Sequence, residues 1–271
     1  SACVEVGQGF VTLVGQIVEE TLGISDVTIL PVDTSIGSAG STSASRQTWM
    51  SGGAVLKACE AVVDALRLDL SSENGVAYEK SGLNLVSKDA THSIDISTAL
   101  RGRNYDEHVT HRHKRTFPLD HNGQGNAHVS FAFAAHRAVV DVDEELGLVR
   151  VVEIATSQDV GRVLNPVQAR GQIEGGIAQG LGLALLEELV LDSGKIVNAN
   201  FTDYLLPTSM DTPPIKIASL IEQSEPGAPF GAKGIGEPPV ISSTPAIISA
   251  VRNATGKKLS RVPIKPEDLI F

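Results

Sequence analysis

Cysteine is almost missing from this sequence: Cys3 and Cys59 are the only two in 271 residues. That is too few for a disulfide framework, the spacing is not that of a zinc site, and a reducing, cytoplasmic compartment is the expectation. Aromatic residues make up 4% of the chain, so a flat ligand would need rings supplied from elsewhere to be sandwiched. Basic residues are outnumbered, 22 Lys and Arg against 32 Asp and Glu, for a net charge of −10. A groove for nucleic acid needs clustered Lys and Arg, so no nucleic-acid partner is expected. No apolar run is long enough to span a bilayer, so neither a secretory signal nor a membrane partner is expected. There is no starting Met, and Ala2–Val6 already reads as a strand under way. The chain is therefore expected to be the later part of a larger functional unit, either cleaved or encoded separately.

What is present is globular: 42% hydrophobic, 20% charged and 26 glycines. A chain of this length can bury one large core or build two smaller lobes. Ala2–Val6 runs into Gly7-Gln8-Gly9, a turn that presents an amide side chain. A helix follows with Val11, Val14, Val18 and Leu22 on one face and Gly23 as its stop. Asp26–Val32 reads as a second strand. The small-residue run Ser35–Ser45 then leads into a helix of some twenty residues that carries Val55, Cys59, Val63 and Leu66 inward. Two readings of that junction stand side by side: an anion site built from backbone N–H groups and hydroxyls at a helix N-terminus, or a flexible linker with a serine N-cap. It is not a P-loop, because no Gly-Lys-Ser/Thr closes it.

Short strands are expected from Asn74 to Ser93. Tyr105–His121 is polar and reads as the connection between two lobes. Its His108, His111 and His113 lack a visible fourth ligand and a rigid support, so no metal is assigned to them. Asn126–Asp143 and Leu148–Ile154 alternate as a long hairpin around Asp143–Gly147. A helix over Val167–Leu189 follows with Ile173, Ile177, Leu181 and Leu185 inward; Gln172, Glu174 and Gln179 lie on or near its first turns. Asn198–Leu206 and Ile215–Leu220 read as strands, and Ser243 or Thr244 caps a last helix with Pro245 at its first position and Gly256 at its end.

Between those elements lies Gly231-Ala-Lys-Gly-Ile-Gly-Glu-Pro-Pro239. Its glycines permit positive φ and close approach, while the prolines stiffen the chain and push the preceding Glu237 toward an extended conformation. Glu237 reads equally as a general base or as the solvated carboxylate of a surface turn.

Several motifs occur in a telling order: Gly7-Gln-Gly9, the run ending Thr42-Ser-Ala-Ser45, Asp159-Val-Gly161, Leu164-Asn-Pro166, Gly171–Gly182, Thr202–Pro207 and Gly231–Pro239. This order resembles the second molybdenum-cofactor domain of the xanthine oxidase family, the molybdenum hydroxylases, over essentially the whole chain. Phe131–Ile154 and Asp106–Gln124 are most similar to bacterial xanthine dehydrogenases. The resemblance implies an α+β fold of two α/β lobes, with mixed sheets and packed helices, divided near 1–115 and 116–271. It implies Glu237 as the general base in hydroxylation of an electron-poor carbon, with oxygen derived from water. Gln8, Gly9, Thr42, Ser43, Ala44, Ser45, Gln172 and Gly236 are implied to contact molybdopterin, in its plain form or as the cytosine dinucleotide. Lys233 is implied to lie near the base, or else is an ordinary exposed lysine.

The resemblance also implies partners. The remaining molybdopterin-binding chain, an iron–sulfur subunit and a flavin subunit carrying FAD are expected on other chains, since two cysteines cannot ligate one cluster. Gly7–Gly9, Ser41–Ser45 and the Glu237 segment are expected to converge where the remaining molybdopterin-binding chain joins. The substrate implied is a purine or similar small N-heterocycle. An aldehyde, another heteroaromatic substrate, or a cofactor-free structural role are the alternatives.

Overall fold

The structure, a computed structural model, describes residues 1–270. Its elements are α1 (Phe10–Leu22), α2 (Gln47–Asn74), β1 (Tyr78–Ser81), β2 (Asn84–Ser87), β3 (Ser93–Asp95), α3 (Ile96–Leu100), β4 (Ala134–Asp143), β5 (Leu148–Asp159), α4 (Pro166–Leu185), β6 (Leu191–Asp192), β7 (Lys195–Ile196), β8 (Ile215–Ile221), α5 (Pro238–Thr255) and α6 (Pro266–Ile270). Two compact units emerge, each assembled from separate stretches of chain: Ser1–Ser130 with Ser224–Gly234, and Phe131–Gln223 with Ile235–Phe271. The division falls at 130/131, not 115/116, and the stretch 224–234 returns to the first unit. The polar segment after Arg101 thus belongs with the first unit's helices and is not a neutral connector.

In the first unit, α1 and α2 pack together over an antiparallel sheet of order β1-β2-β3. Its core joins Cys59, Val63, Leu66 and Leu70 of α2 to Tyr78, Leu85 and Ile96. α1 ends where Gly23 takes a left-handed conformation (φ 72°) and its N–H bonds the Glu19 carbonyl, the stop its sequence specifies. Its buried face holds Phe10, Val14, Ile17, Thr21 and Leu22, while Val11 is exposed.

Two expected strands are not formed. Around Ala2–Val6, side chains take over backbone groups: Gln8 accepts from the Val6 N–H at 2.6 Å and donates to the Val4 carbonyl at 2.7 Å. Residues 24–32 lie outside any ladder. A third, Asn198–Leu206, is a pair of turns. Asn200 Oδ1 accepts from the Thr202 N–H and the Asn200 carbonyl accepts from Tyr204, so local bonding outcompetes a strand.

The second unit is a mixed sheet of order β4-β5-β8, antiparallel between β4 and β5 and parallel between β5 and β8. β4 alternates in burial along its length, and Asp143 Oδ1 accepts from the Glu145 and Leu146 N–H groups to close the hairpin. α5 lies on β4 and α4 packs on α5, enclosing Ile154, Ile173, Ile177, Leu181, Ile247 and Val251.

α4 begins at Pro166, with Asn165 Oδ1 accepting from the Gln168 N–H, and ends at Leu185, one turn before the expected Leu189. α5 starts at Pro238 and not at Pro245, which sits inside it. Pro238 and Pro239 occupy first-turn positions whose N–H groups would have no helical partner anyway, so a proline pair starts the helix without loss.

Glycine decides how α4 and α5 meet. A Cβ on Gly176 would lie 2.8 Å from Pro239 Cβ, and one on Gly180 would overlap the Ser243 hydroxyl and lie 3.1 Å from Ser243 Cβ. The Thr244 hydroxyl donates to the Gly180 carbonyl at 2.8 Å. Gly176 faces Pro239 and Gly180 faces Ser243, so the two helices run parallel and their N-termini share one end of the unit. Gly180→Ala is expected to destabilise the chain by about 1–3 kcal/mol through overpacking. Gly175→Ala, where nothing lies within 4 Å, should instead stabilise by ~0.5–1 kcal/mol through helix propensity. Denaturant unfolding of both variants decides; equal midpoints would remove the close approach as a structural determinant.

Candidate functional site

Glu237 is the N-cap residue of α5, not part of a loop, and its backbone is in the right-handed helical region (φ −94°, ψ −36°). That is a disfavoured conformation before proline and differs from the extended one expected. Its carbonyl accepts from Val240 and Ile241, yet its side chain makes no capping hydrogen bond. The two prolines explain this. A cap carboxylate bonds the N–H of the second or third helical residue; Pro239 has none, and that of Val240 is taken by the Glu237 carbonyl. The exposed Glu237 carboxylate therefore stands at the positive end of a helix dipole and is not that helix's side-chain cap.

Gln172 is half-buried on α4. It lies one turn before Gly176 on the same face, and Gly176 is the residue that meets Pro239. The parallel packing of α4 and α5 thus brings Gln172 and Glu237 to one end of the second unit, together with exposed Gly236. The amide of Gln172 takes no hydrogen bond among the described residues.

In the first unit, Gly9 is the N-cap of α1 with φ 84°, which suits a residue without Cβ. Gln8 does not present its amide outward; both ends bond the backbone of residues 4–6. Sequence reasoning missed the organiser of this turn, Glu5. Its Oε1 accepts from the Gly7 and Gly9 N–H groups at 2.7 and 3.0 Å, and its Oε2 from Val11 at 2.9 Å. Burial pushes the carboxyl upward, but the backbone N–H donors of Val11, Gly9, Gly7 and Phe10 together outweigh it and hold it below the ordinary value. The signal was a Glu two residues ahead of Gly-Gln-Gly.

Thr42, Ser43 and Ala44 are exposed and Ser45 is half-buried. Ala44 and Ser45 both adopt positive φ, 59° and 50°, and Arg46, the N-cap of α2, returns to the right-handed region with no side-chain cap. The serine N-cap of the linker reading is therefore not formed. A left-handed residue followed by a right-handed one turns successive N–H groups toward one concavity, the geometry of an anion nest. Two residues that sequence reasoning also missed hold this turn. Arg46 Nε donates to the Ser41 carbonyl at 2.6 Å, and buried Gln47 donates from Nε2 to the Ser41 and Ala39 carbonyls at 2.9 and 3.2 Å.

Lys233 is half-buried. Beside it, Gly234 presses on Ser45 so closely that a Cβ would sit 2.6 Å from the Ser45 carbonyl carbon and overlap its oxygen. The chain thus doubles the cradle with a second stretch of bare backbone. Among the three glycines of this segment, Gly231 has positive φ (82°), while Gly234 is required for approach. Small side chains, an uncapped helix N-terminus and exposed backbone fit a pterin and its phosphate.

Elsewhere, Tyr204 OH donates to Glu187 Oε2 at 2.7 Å, and a Cβ on Gly182 would lie 3.0 Å from Pro207 Cδ. Thr202–Pro207 and the end of α4 therefore brace each other, a structural role. His111 sits over Gly53 of α2 with both ring nitrogens buried and unpartnered. Burial, then Lys57 and His113, depress its basicity. Among the described residues no group of three or more His, Cys, Asp or Glu could hold a metal ion, and no helix is long and apolar enough to cross a membrane.

Comparison with known proteins meets this geometry. Residues 1–213 match the family described as the molybdopterin cofactor-binding domain. The chain belongs to that family, the molybdenum-cofactor-binding domains of xanthine oxidase-type proteins. It is 33% identical over 278 residues to the 6-hydroxypseudooxynicotine dehydrogenase complex subunit gamma of Paenarthrobacter nicotinovorans, covering 97% of this chain and 34% of that one. It is 31% identical over 296 residues to the xanthine dehydrogenase molybdenum-binding subunit of Escherichia coli O157:H7, covering 99% and 36%. The solved quinoline 2-oxidoreductase of Pseudomonas putida 86 superposes with a TM-score of 0.76 at 26% identity, covering 98% and 36%. The chain spans about a third of the length of these relatives.

Glu5 gives this site a pH signature. A carboxylate depressed in the folded chain stabilises it above the unfolded value, and that contribution is lost as pH falls through the folded one. The Gly7 and Gly9 amide resonances are expected to titrate with a midpoint below 4.5, the ordinary glutamate value, and to be flat in Glu5→Gln. A midpoint at or above 4.5 would detach Glu5 from these amides.

Proposed function

We propose that this chain forms the half of a molybdenum hydroxylase active site that cradles molybdopterin and supplies the general base, Glu237. The observation that carries the reading is the state of Glu237 at the start of α5: a carboxylate at the positive end of a helix, barred by Pro238 and Pro239 from serving as its cap.

When bound, the molybdenum cofactor supplies the electron-accepting centre and the electron-poor metal that acidifies water. At neutral pH a carboxylate is a weak base toward ordinary water, so Glu237 needs such a partner for its basicity to match the proton it removes. An oxygen of Glu237 takes that proton as the water-derived oxygen is committed to an electron-poor carbon. Gln172, on the turn of α4 beside Pro239, is placed to donate or accept a hydrogen bond at the same end. The exposed small-residue turn Thr42–Ala44, with Ser45 behind it, gives the pterin and its phosphate a close approach to backbone and to the Thr42 hydroxyl. Gly9 opens the first turn of α1, and Lys233 contributes positive charge beside the cradle. Gln8 contributes by holding residues 4–6 more than by a contact of its own.

The substrate favoured is a purine or similar N-heterocycle. The names of the relatives support this class, since xanthine and quinoline are both nitrogen heterocycles with an electron-poor carbon beside nitrogen. The partners expected are the remaining molybdopterin-binding polypeptide, an iron–sulfur subunit and a flavin subunit with FAD, in the cytoplasm. The cytosine dinucleotide is one form the pterin takes in this reading.

In the holoenzyme purified through this chain, Glu237→Gln is expected to lower turnover about 100-fold or more while molybdenum content stays at the wild-type level. Turnover that survives the substitution would remove Glu237 from the proton transfer. A panel of purines, quinolines and aldehydes assayed on the same preparation separates the heterocycle reading from aldehyde oxidation.

A further inference from the structure

Residues 24–32, Ile-Ser-Asp-Val-Thr-Ile-Leu-Pro-Val, carry the side-chain pattern of a strand without its ladder. Val27 and Ile29 are half-buried, while Thr28 and Leu30 between them are exposed, the period of two that a strand requires. The inner face is already seated: Ile24 packs on the core of α2, and Ile29 packs with Cys3, Phe10 and Val14. The outer face is apolar and open, with Leu30 76% and Val32 42% exposed, and Val4 and Val6 of the neighbouring N-terminal stretch 50% and 75% exposed. No backbone group of residues 24–32 takes a hydrogen bond among the described residues. A seated, apolar, unpaired edge invites strand addition.

We infer that residues 24–32 are an acceptor edge for a β-strand supplied by the polypeptide that carries the two thirds of the relatives' length this chain does not match. The relatives' extent decides the occupant: about 65% of each lies outside the matched region, while a second copy of this chain offers only the same unpaired edge. Pairing would satisfy the backbone groups on one edge of residues 24–32 and bring neighbouring side chains alongside Leu30 and Val32. It rests on the proposed assembly with that polypeptide and is independent of the chemistry at Glu237.

Hydrogen exchange on this chain alone and on the complex purified through it tests the inference, without reference to molybdenum or turnover. The amides of residues 24–32 are expected to exchange near the unstructured rate in the chain alone, and those on the paired edge, every second residue, about 100-fold slower in the complex, while those of α2 are protected in both. Equal, rapid exchange in the complex would overturn the inference. So would protection in the chain alone, whether independent of concentration, meaning pairing within the chain, or rising with it, meaning a second copy. Val27→Pro and Thr28→Pro remove N–H donors that point to opposite edges. At least one is expected to lower recovery of the partner polypeptide about 10-fold with the lone chain's melting unchanged; undiminished recovery with both would count against strand addition.

Discussion

The close approach of α4 to α5 is the contact on which the second unit depends. Two helices with ordinary side chains at the seam stand 8–10 Å apart. Here Gly176 and Gly180 remove the side chains on one side, and Pro239, Ser243 and Thr244 fill the gap from the other. The Thr244 hydroxyl returns to the Gly180 carbonyl, so the seam has a polar register mark as well as a packed one. Because the contacts ascend together along both helices, the pairing is parallel and both positive helix ends meet at the same edge. The glycine-rich run that looks wasteful for a helix is therefore what brings Gln172 beside the start of α5. The loss of propensity is offset by burial of Ile173, Ile177 and Leu181 against Ile247 and Val251.

Two glutamates, Glu5 and Glu237, show how neighbours decide what a carboxylate is for. Glu5 precedes a Gly-Gln-Gly turn whose N–H groups are free to converge on it, and it is consumed by them. Glu237 precedes two prolines, which have no N–H to give, and makes no cap bond. Both residues lie at helix starts in similar dipole fields. The difference is the chemistry of the next two residues: glycine exposes backbone donors and proline deletes them. The same logic runs through the Ser41–Ser45 turn, where Arg46 and Gln47 take the Ser41 carbonyl and the Ser41 hydroxyl takes the Ser43 N–H.

Much of this was legible in the sequence, and the failures share a cause. α1, α2, α4, the β4–β5 hairpin and β8 follow from periodicity, and the ends of α1 and α5 from Gly23 and Gly256, all local signals; Asn165 and Pro166, read as a turn, are the cap and first residue of α4. The strands expected at Ala2–Val6 and Asn198–Leu206 failed because Gln8, Glu5 and Asn200 offer the backbone nearer partners than a ladder, and such side-chain competition carries no period. The start of α5 was misread because Ser243-Thr244-Pro245 is a good cap signal; Pro238 and Pro239 are a better one, and Ser243 and Thr244 were needed at the seam with α4. Likewise, the roles of Gly176, Gly180 and Gly234 depend on what approaches from elsewhere in the chain, which no local pattern records.

The segment Gly231–Pro239 belongs to two units: it ends one at Gly234 and opens the other at Ile235. Its glycines and its Glu-Pro-Pro end answer to different constraints. Gly231 and Gly234 are fixed by packing in the first unit, against Ser224 and Ser45, and a side chain at either would collide. Glu237 is instead shaped by the start of α5, as its N-cap. A stretch that reads as one motif is thus a junction of two, a backbone pressed on a cradle and a carboxylate held at a helix start. Lys233 and Glu237, with three residues between them in the motif's middle, therefore answer to different neighbours, the first to the packing of its own unit and the second to the helix it opens.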